Sequence, residues 1–173
     1  FSSYGKIPSF IVTLATMSIY RGVAFLITNG TPIFSVSPAL EPLFYGKFLG
    51  IPLPFYYVVV LYSLAALYLR NTISGRAIYA VGGNESAARL TGLSVNGTRM
   101  LAFTFSGVTA AIGGVLLAAW LNSGSPNYGQ ELGLQSIAAA VIGGASLVGG
   151  YGSMFATLIG ALTVAIVQNG LNL

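Results

Sequence analysis

The feature that most constrains this chain is a polar, arginine-bearing island that interrupts long apolar stretches. The apolar stretches cover residues 7–28, about 55–69 and 100–121, and the polar island covers residues 71–99. A helix of ~20 mostly apolar residues crosses a bilayer, and it satisfies its backbone hydrogen bonds within one segment, as lipid requires. The alternation therefore predicts an all-α fold, a polytopic transmembrane helix bundle whose polar island lies in water at one membrane face.

Composition supports lipid as the solvent of most of the surface. Only 6% of the residues are charged and 55% are hydrophobic, whereas soluble domains contain about 25% charged residues. The chain has neither His nor Cys, so it lacks the commonest general base and the ligands of most zinc sites. We therefore expect no enzyme activity, no metal and no disulfide, and we do not interpret the net charge of +4 as a nucleic-acid footprint.

The distribution of basic residues predicts the orientation in the membrane. Arg70, Arg76, Arg89 and Arg99 lie within or beside the polar island, the Pro-rich segment 29–54 offers only Lys47, and residues 122–133 contain no basic residue. Short cytoplasmic loops are enriched in Lys and Arg. We therefore expect residues 71–99 to be cytoplasmic and the other two segments to lie on the opposite face.

Within the polar island the sequence predicts a short helix over residues 84–91. Asn84 is a favourable N-cap, Glu85 suits the positive end of a helix, and Gly92 is a natural stop. Two interpretations remain open from the residues alone. The helix joins two spans and does nothing else, or it is offered to a partner.

The end of the chain predicts a broken or re-entrant helix. Residues 136–142 are apolar but too short to span, a glycine-rich segment follows, and a last apolar helix is expected over about 154–167. A phosphate-binding loop is excluded because no Lys follows Lys47. Close packing and a role in a translocation path both remain open for this segment, and its candidate path or gate residues are Gly143, Gly144, Ser146, Gly149, Gly150 and Gly152.

Two further features fall inside the apolar stretches. Arg21 is a candidate for the translocation path, since charges within a span usually face a bundle interior or water; snorkelling to the interface is the alternative. Small residues spaced by four favour close helix packing. They are Ala110, Gly114 and Ala118 in one stretch and Ala156 and Gly160 in another.

Several long motifs in a fixed order resemble the permease subunits of ABC-type sugar importers, the ribose permease family. Residues 75–92 read Gly-Arg-x-Ile-Tyr-Ala-Val-Gly-Gly-Asn-x-x-Ala-Ala-Arg-Leu-x-Gly. Residues 8–14, 18–22, 28–30, 137–153 and 169–172 look like further blocks of the same family, so the resemblance covers nearly the whole chain. Family members are considerably longer, and we expect a partial permease domain over 1–173 that lacks N-terminal and last C-terminal spans.

The resemblance implies a role for the polar island. In such permeases the cytoplasmic loop couples the permease to an ATP-hydrolysing subunit. The residues carried over to this coupling loop are Gly82, Asn84, Glu85, Ala87, Ala88, Arg89 and Gly92. In the wider importer class the loop follows the pattern Glu-Ala-Ala-x-x-x-Gly; here Ser86 occupies the Glu position and Glu85 lies one residue earlier.

The resemblance also implies the assembly. It implies an importer that carries a monosaccharide such as ribose or xylose through the cell inner (plasma) membrane. The implied partners are a second permease copy, an ATP-binding cassette subunit that holds the ATP, and an extracytoplasmic sugar-binding protein. The chain itself would hold no cofactor. The alternatives are an ion-coupled secondary transporter that uses the broken helix, a scaffolding membrane protein and, least favoured, an intramembrane enzyme.

Overall fold

The structure, a computed structural model, describes residues 9–35 and 40–171. The expected start of the first stretch at Ile7 and the loop residue Pro38 lie outside the described residues. The elements in chain order are α1 (Ser9–Thr28), β1 (Ile33–Phe34), α2 (Glu41–Tyr45), β2 (Lys47–Phe48), β3 (Ile51–Pro52), α3 (Leu53–Asn71), α4 (Ile73–Gly83), α5 (Glu85–Leu90), α6 (Val95–Leu121), β4 (Ser123–Gly124), α7 (Leu132–Ile142) and α8 (Met154–Leu171).

Four of these helices, α1, α3, α6 and α8, are long and apolar enough to cross a membrane. They coincide with the predicted spans, and the prediction of an all-α polytopic membrane protein is confirmed. Almost none of their residues are buried inside the described structure. Their apolar side chains therefore face outward, as the low charge content requires of a protein dissolved in lipid.

The boundary between the polar island and α6 differs from the prediction. The apolar stretch suggested a start at Met100, but α6 begins at Val95. Ser94 accounts for the difference, since its hydroxyl oxygen accepts the backbone N–H of Gly97 at 3.3 Å and so caps the first turn. With 27 residues, α6 measures about 40 Å, so its first turns extend beyond a hydrocarbon core of about 30 Å.

The contacts divide the chain into two compact units, residues 1–54 with 106–128 and residues 55–105 with 129–173. The expectation of one permease domain over 1–173 stays a prediction. In the first unit, β1 pairs antiparallel with β4, and the N–H of Ser35 donates to Asn122 O at 3.0 Å. This ladder joins the Pro-rich segment to residues 122–133, as their predicted location on one membrane face requires.

The Pro-rich segment also contains a short helix, α2, which was not predicted because prolines usually interrupt helices. Pro42 occupies the first turn of α2, where a missing N–H costs nothing. Phe44 of this helix stacks on Trp120 with ring centroids 6.0 Å apart, and the Tyr45 hydroxyl donates to the carbonyl oxygen of Trp120 at 2.9 Å. These aromatic contacts hold the segment against the end of α6.

In the second unit α7 and α8 form a packed helical pair. A methyl group on Gly160 would collide with Ala139 O, and one on Gly143 would lie 2.7 Å from Thr157 Cα. The helices end at Ile142 and resume at Met154, so the predicted break is confirmed, and the spacing of Ala156 and Gly160 marks a packing face. The stripe at Ala110, Gly114 and Ala118 shows no such close packing at Gly114. Within the described chain, nothing lies within 4 Å of a methyl group placed there.

Candidate functional site

One residue, Asn84, both ends α4 and begins α5. Its backbone N–H donates to Ala80 O at 3.1 Å, and its side-chain Oδ1 accepts the N–H of Ala87 at 2.9 Å. Asn84 itself is extended, with φ −155° and ψ 103°. The predicted N-cap is confirmed, and no free residue separates the two helices. The preceding helix α4 was not expected; it starts at a second cap, where the Thr72 hydroxyl oxygen accepts the N–H of Gly75 at 2.9 Å.

The C-terminal end of α5 is a Schellman motif. The N–H of Gly92 donates to Arg89 O at 3.0 Å, and the N–H of Leu93 donates to Ala88 O at 3.1 Å. Gly92 has φ +81°, in the left-handed region that this motif needs and that glycine adopts without strain. The predicted stop at Gly92 is therefore confirmed, and α5 has a defined beginning and end.

The interior of the polar island is a small apolar cluster. Val81 from α4, Ala88 from α5 and Val95 from α6 are buried against one another, and Leu93 packs on them. Ala88 is only 4% exposed, so its side chain packs inside the polar island, and a part of Ala88 in the coupling loop stays a prediction. The resemblance implied a place for Ala88 in the coupling loop, and the structure gives that residue an internal packing position.

Glu85 ties α5 to the start of α6. One carboxylate oxygen accepts a hydrogen bond from Arg89 Nη2 at 3.0 Å, and the other accepts one from Arg99 Nη2 at 2.6 Å. The pKa of Glu85 is lowered from its ordinary value of 4.5, mainly by the hydrogen bond from Arg89. Partial desolvation raises the pKa and so opposes this shift, and the charges of Arg99 and Arg89 lower the pKa further. Glu85 is therefore an anionic bridge between two helices at neutral pH.

The outward face of α5 consists of Ser86, Ala87, Arg89 and Leu90. Ser86 and Leu90 are four residues apart and Ala87 and Leu90 three, so they are neighbours on one side of the helix. The leucine is 90% exposed, and the Arg89 side chain beside it is 63% exposed. We call Ser86, Ala87, Arg89 and Leu90 the α5 face. It is small, combines apolar Ala87 and Leu90 with Ser86 and the charged Arg89, and projects from a helix that is capped at both ends.

The glycine-rich turn between α7 and α8 lies directly against the end of α4. A methyl group on Gly82 would be 2.7 Å from Gly150 N, and one on Gly149 would be 2.7 Å from Gly82 O. The Tyr79 hydroxyl donates to Gly152 O at 3.1 Å. Backbone therefore meets backbone at this contact, which links the polar island to the α7–α8 pair.

The turn is shaped by its own hydrogen bonds. The N–H of Ser146 donates to Tyr151 O at 3.0 Å, and the N–H of Gly149 donates to Ser146 O at 3.2 Å. Gly144, Gly149 and Gly150 all have positive φ. These features explain the glycines by the shape and close packing of the turn. A role in a translocation path stays a prediction for Gly143, Gly144, Ser146, Gly149, Gly150 and Gly152.

Arg21, the remaining candidate, belongs to the first unit. Its Nη2 donates to Asn127 Oδ1 at 3.3 Å, and its guanidinium lies over the Phe25 ring at 5.6 Å from the centroid. The side chain is thus directed toward residues 122–133, the loop expected on the face opposite the polar island. This contact suits an arginine that reaches the interface, and a role in translocation stays a prediction.

Comparison with known proteins identifies the family. The profile described as "Branched-chain amino acid transport system / permease component" matches residues 2–173. The chain belongs to this permease family. The structure adds the α5 face and the contacts that hold α5 in place. Local sequence patterns predicted only the two caps of this helix. No solved structure shows significant similarity to the chain.

The relatives are transport permeases. The chain is 42% identical over 166 residues to the "Probable ABC transporter permease protein YphD" of Escherichia coli, covering 96% of this chain and 50% of that protein. It is 40% identical over 173 residues to the "Ribose import permease protein RbsC" of Haemophilus influenzae, covering 98% and 54%. The "L-arabinose transport system permease protein AraH" of E. coli is 39% identical over 168 residues, covering 97% and 51%. The chain spans about half the length of these relatives.

Three residues of the site were missed in the sequence. The Arg99 partner of Glu85 is fourteen positions away, Tyr79 reaches a carbonyl beyond residue 150, and both contacts depend on tertiary structure. Leu90 could have been found, because an apolar residue beside a helix stop in a polar segment is a local signal. The Glu85–Arg89 pair was also visible as an i, i+4 spacing.

Proposed function

We propose that this chain is part of the membrane-spanning permease of an ATP-driven importer for a monosaccharide, and that the α5 face docks on the ATP-binding cassette subunit. The observation that carries the proposal is a capped helix with an exposed face at Ala87 and Leu90 in a chain of this permease family. Relatives named for ribose, xylose and L-arabinose transport support a monosaccharide as the substrate.

Two contacts lead from the polar island to the spans. Displacement of α5 acts on α6 through the Glu85–Arg99 ion pair, whose atoms are 2.6 Å apart. Displacement of α4 acts on the α7–α8 pair through the contact of Gly82 with Gly149 and Gly150. Movement of the ATP-binding subunit would thereby change the spans that enclose the sugar. This is allosteric coupling in the sense that one site biases the conformation of another.

The proposed assembly follows from this role. ATP is bound by the separate ATP-binding cassette subunit, and the permease chain holds no cofactor. An extracytoplasmic binding protein delivers the sugar to the face that carries the β1–β4 ladder, and a second permease copy completes the pathway. The polar island lies in the cytoplasm and the spans in the cell inner membrane, in agreement with the arginines that surround the island.

An ion-coupled secondary transporter is the weaker alternative. Proton coupling usually places Asp, Glu or His within spans. The carboxylates of this chain, Glu41, Glu85 and Glu131, all lie outside α1, α3, α6 and α8. Together with relatives named as ABC and import permeases, this placement favours the ATP-driven importer.

The test is co-purification of the protein from its native membrane with identification of bound proteins. Leu90→Asp places a charge on the α5 face without touching the buried cluster. Leu49→Asp is the matched control, because Leu49 is 84% exposed but lies in the hairpin of the first unit. We expect Leu90→Asp to reduce the amount of co-purified ATP-binding subunit at least tenfold, because a charge forced into an apolar contact costs more than about 1.4 kcal/mol.

The control variant Leu49→Asp is expected to retain the ATP-binding subunit. A protein that purifies without any ATP-binding subunit and moves sugar under an ion gradient would overturn the importer. Equal retention by the Leu90→Asp and Leu49→Asp variants would overturn the docking role of the α5 face while leaving the importer in place.

A further inference from the structure

A groove runs between α3 and α8, and its chemistry changes along its length. At the end near the polar island it widens into a cavity of about 430 Å³ whose polar lining includes Arg70, Arg76 and Tyr79. Toward the middle of the helices it continues as a second cavity of about 140 Å³, lined by apolar side chains and Tyr62 and Ser63. Ala66, Met154 and Phe155 line both cavities, so the two form one continuous groove.

The two arginines of the groove carry uncompensated charge. Arg89 and Arg99 both pair with the carboxylate of Glu85, but within the part of the chain that the structure describes the side chains of Arg70 and Arg76 form no ion pair or hydrogen bond. Arg70 lies in the last turn of α3, where a spanning helix reaches the headgroup layer. The groove therefore presents positive charge at the membrane surface and apolar walls below it.

We propose that this groove binds one anionic phospholipid, with its phosphate at Arg70 and Arg76 and an acyl chain along Ala66 and Phe155. Basic pockets between membrane helices favour anionic headgroups, and each arginine near the surface adds attraction. A soluble phosphate or nucleotide would use the arginines but would leave the apolar half of the groove without a function. The division into a charged end and an apolar end therefore identifies a lipid as the occupant.

The test is native mass spectrometry of the purified, delipidated protein titrated with phosphatidylglycerol or with phosphatidylcholine of the same acyl chains. We expect one phosphatidylglycerol to bind in preference to phosphatidylcholine. Arg70→Gln and Arg76→Gln are each expected to weaken that binding roughly fivefold. Arg89→Gln is the matched control, since it removes the same charge in the same unit but lies outside the groove, and it is expected to leave binding unchanged.

Several results would overturn the proposal. Equal weakening by all three arginine variants would show attraction to overall charge alone. Equal binding of the two lipids would remove the role of the phosphate charge. Competition by soluble glycerol phosphate at the same concentration as the lipid would identify a free anion site, because a ligand without acyl chains would then suffice.

The occupant of the apolar half is tested separately. The chain has no Cys, so Ser63→Cys provides one reactive position in the groove for a benzophenone photocrosslinker. In the protein kept in its membrane we expect crosslinks to phospholipid. Crosslinks to a protein segment or to a second copy would show that protein covers the groove and would overturn the proposal.

Discussion

Glu85 is a single carboxylate that accepts hydrogen bonds from two helices. Exposed ion pairs are individually weak, but here Arg89 holds the carboxylate in place within α5 while Arg99 joins it to the start of α6. The carboxylate lies at the first residue of α5, where the helix dipole also favours negative charge. Its contribution is therefore one of orientation, and its protonation is expected to loosen α5.

Loosening of α5 is expected only in acid. Because the pKa of Glu85 is lowered below 4.5, its ion pairs stabilise the fold above that value and are lost as the pH falls through the lower pKa of the folded state. Hydrogen exchange at the amides of residues 87–93, corrected for intrinsic rates, should stay slow from neutral pH down through the range in which an unpaired Glu titrates, about pH 4.3, and accelerate only at lower pH. Glu85→Gln should remove this step, and protection that is already lost near pH 6 would contradict the assignment.

Gly150 provides a second prediction at this scale. Its φ is +77°, and a methyl group there would be 2.5 Å from Gly83 Cα, whereas Gly144 has φ +83° and nothing within 4 Å. Both Gly→Ala variants incur the strain of a left-handed conformation, about 1–2 kcal/mol, but only Gly150→Ala also separates α4 from the turn. Thermal unfolding in detergent should therefore show a larger loss for Gly150→Ala, accompanied by lower sugar uptake. Equal losses would mean that the close contact has no energetic role.

Among the elements, those defined by local chemistry could be predicted from the sequence. Asn84 and Gly92 specify the ends of α5 because both caps are formed by residues within a few positions of each other. The helix α4 was missed because Gly75, Gly82 and Gly83 disfavour a helix in isolation. Two features compensate in the folded protein. Thr72 caps the start of α4, and Gly75 packs so closely on the last turn of α3 that an added methyl group would lie 2.6 Å from Leu69 Cα.

The packing of α7 on α8 makes a prediction for this pair. Gly160→Ala would place a methyl group against Ala139 O and 2.7 Å from Gly143 N, and overpacking of this kind costs about 1–3 kcal/mol. Gly113→Ala is the control in another spanning helix, where nothing lies within 4 Å, and it should be neutral or stabilising by up to ~1 kcal/mol. Unfolding midpoints of the two variants measure the difference; a stable Gly160→Ala protein would show that the helices separate without cost.

For the molecule as a whole, the apolar exterior and the spans follow from composition and hydropathy. The contacts that assemble the site do not, because Glu85 meets Arg99 and Gly82 meets Gly149 only after the chain has folded back on itself. Hydropathy is a property of single segments and contains no information about which segments touch. The family motif marked residues 82–92 as a site, but it could not separate the buried Ala88 from the exposed Leu90.

The orientation of the molecule can be measured with two conservative variants. The chain has no Cys, so Ser86→Cys on the α5 face and Ser35→Cys beside the β1–β4 ladder each introduce one thiol at an exposed position. A membrane-impermeant maleimide should label Ser86→Cys only in inside-out vesicles and Ser35→Cys only in right-side-out vesicles. The reverse pattern would contradict the expected cytoplasmic location of residues 71–99.

The double use of Asn84 has a mechanical consequence. A hinge usually contains a few spare residues that absorb a change of backbone angle, but α4 and α5 meet at the single residue Asn84. Its N–H donates to α4, its Oδ1 and carbonyl oxygen accept two N–H groups of α5, and Val81 packs on Ala88 across the joint. A change in the angle between α4 and α5 must therefore break a cap hydrogen bond or separate Val81 from Ala88. If α5 docks on a partner as proposed, α4 and α5 would therefore move together until one of these contacts breaks.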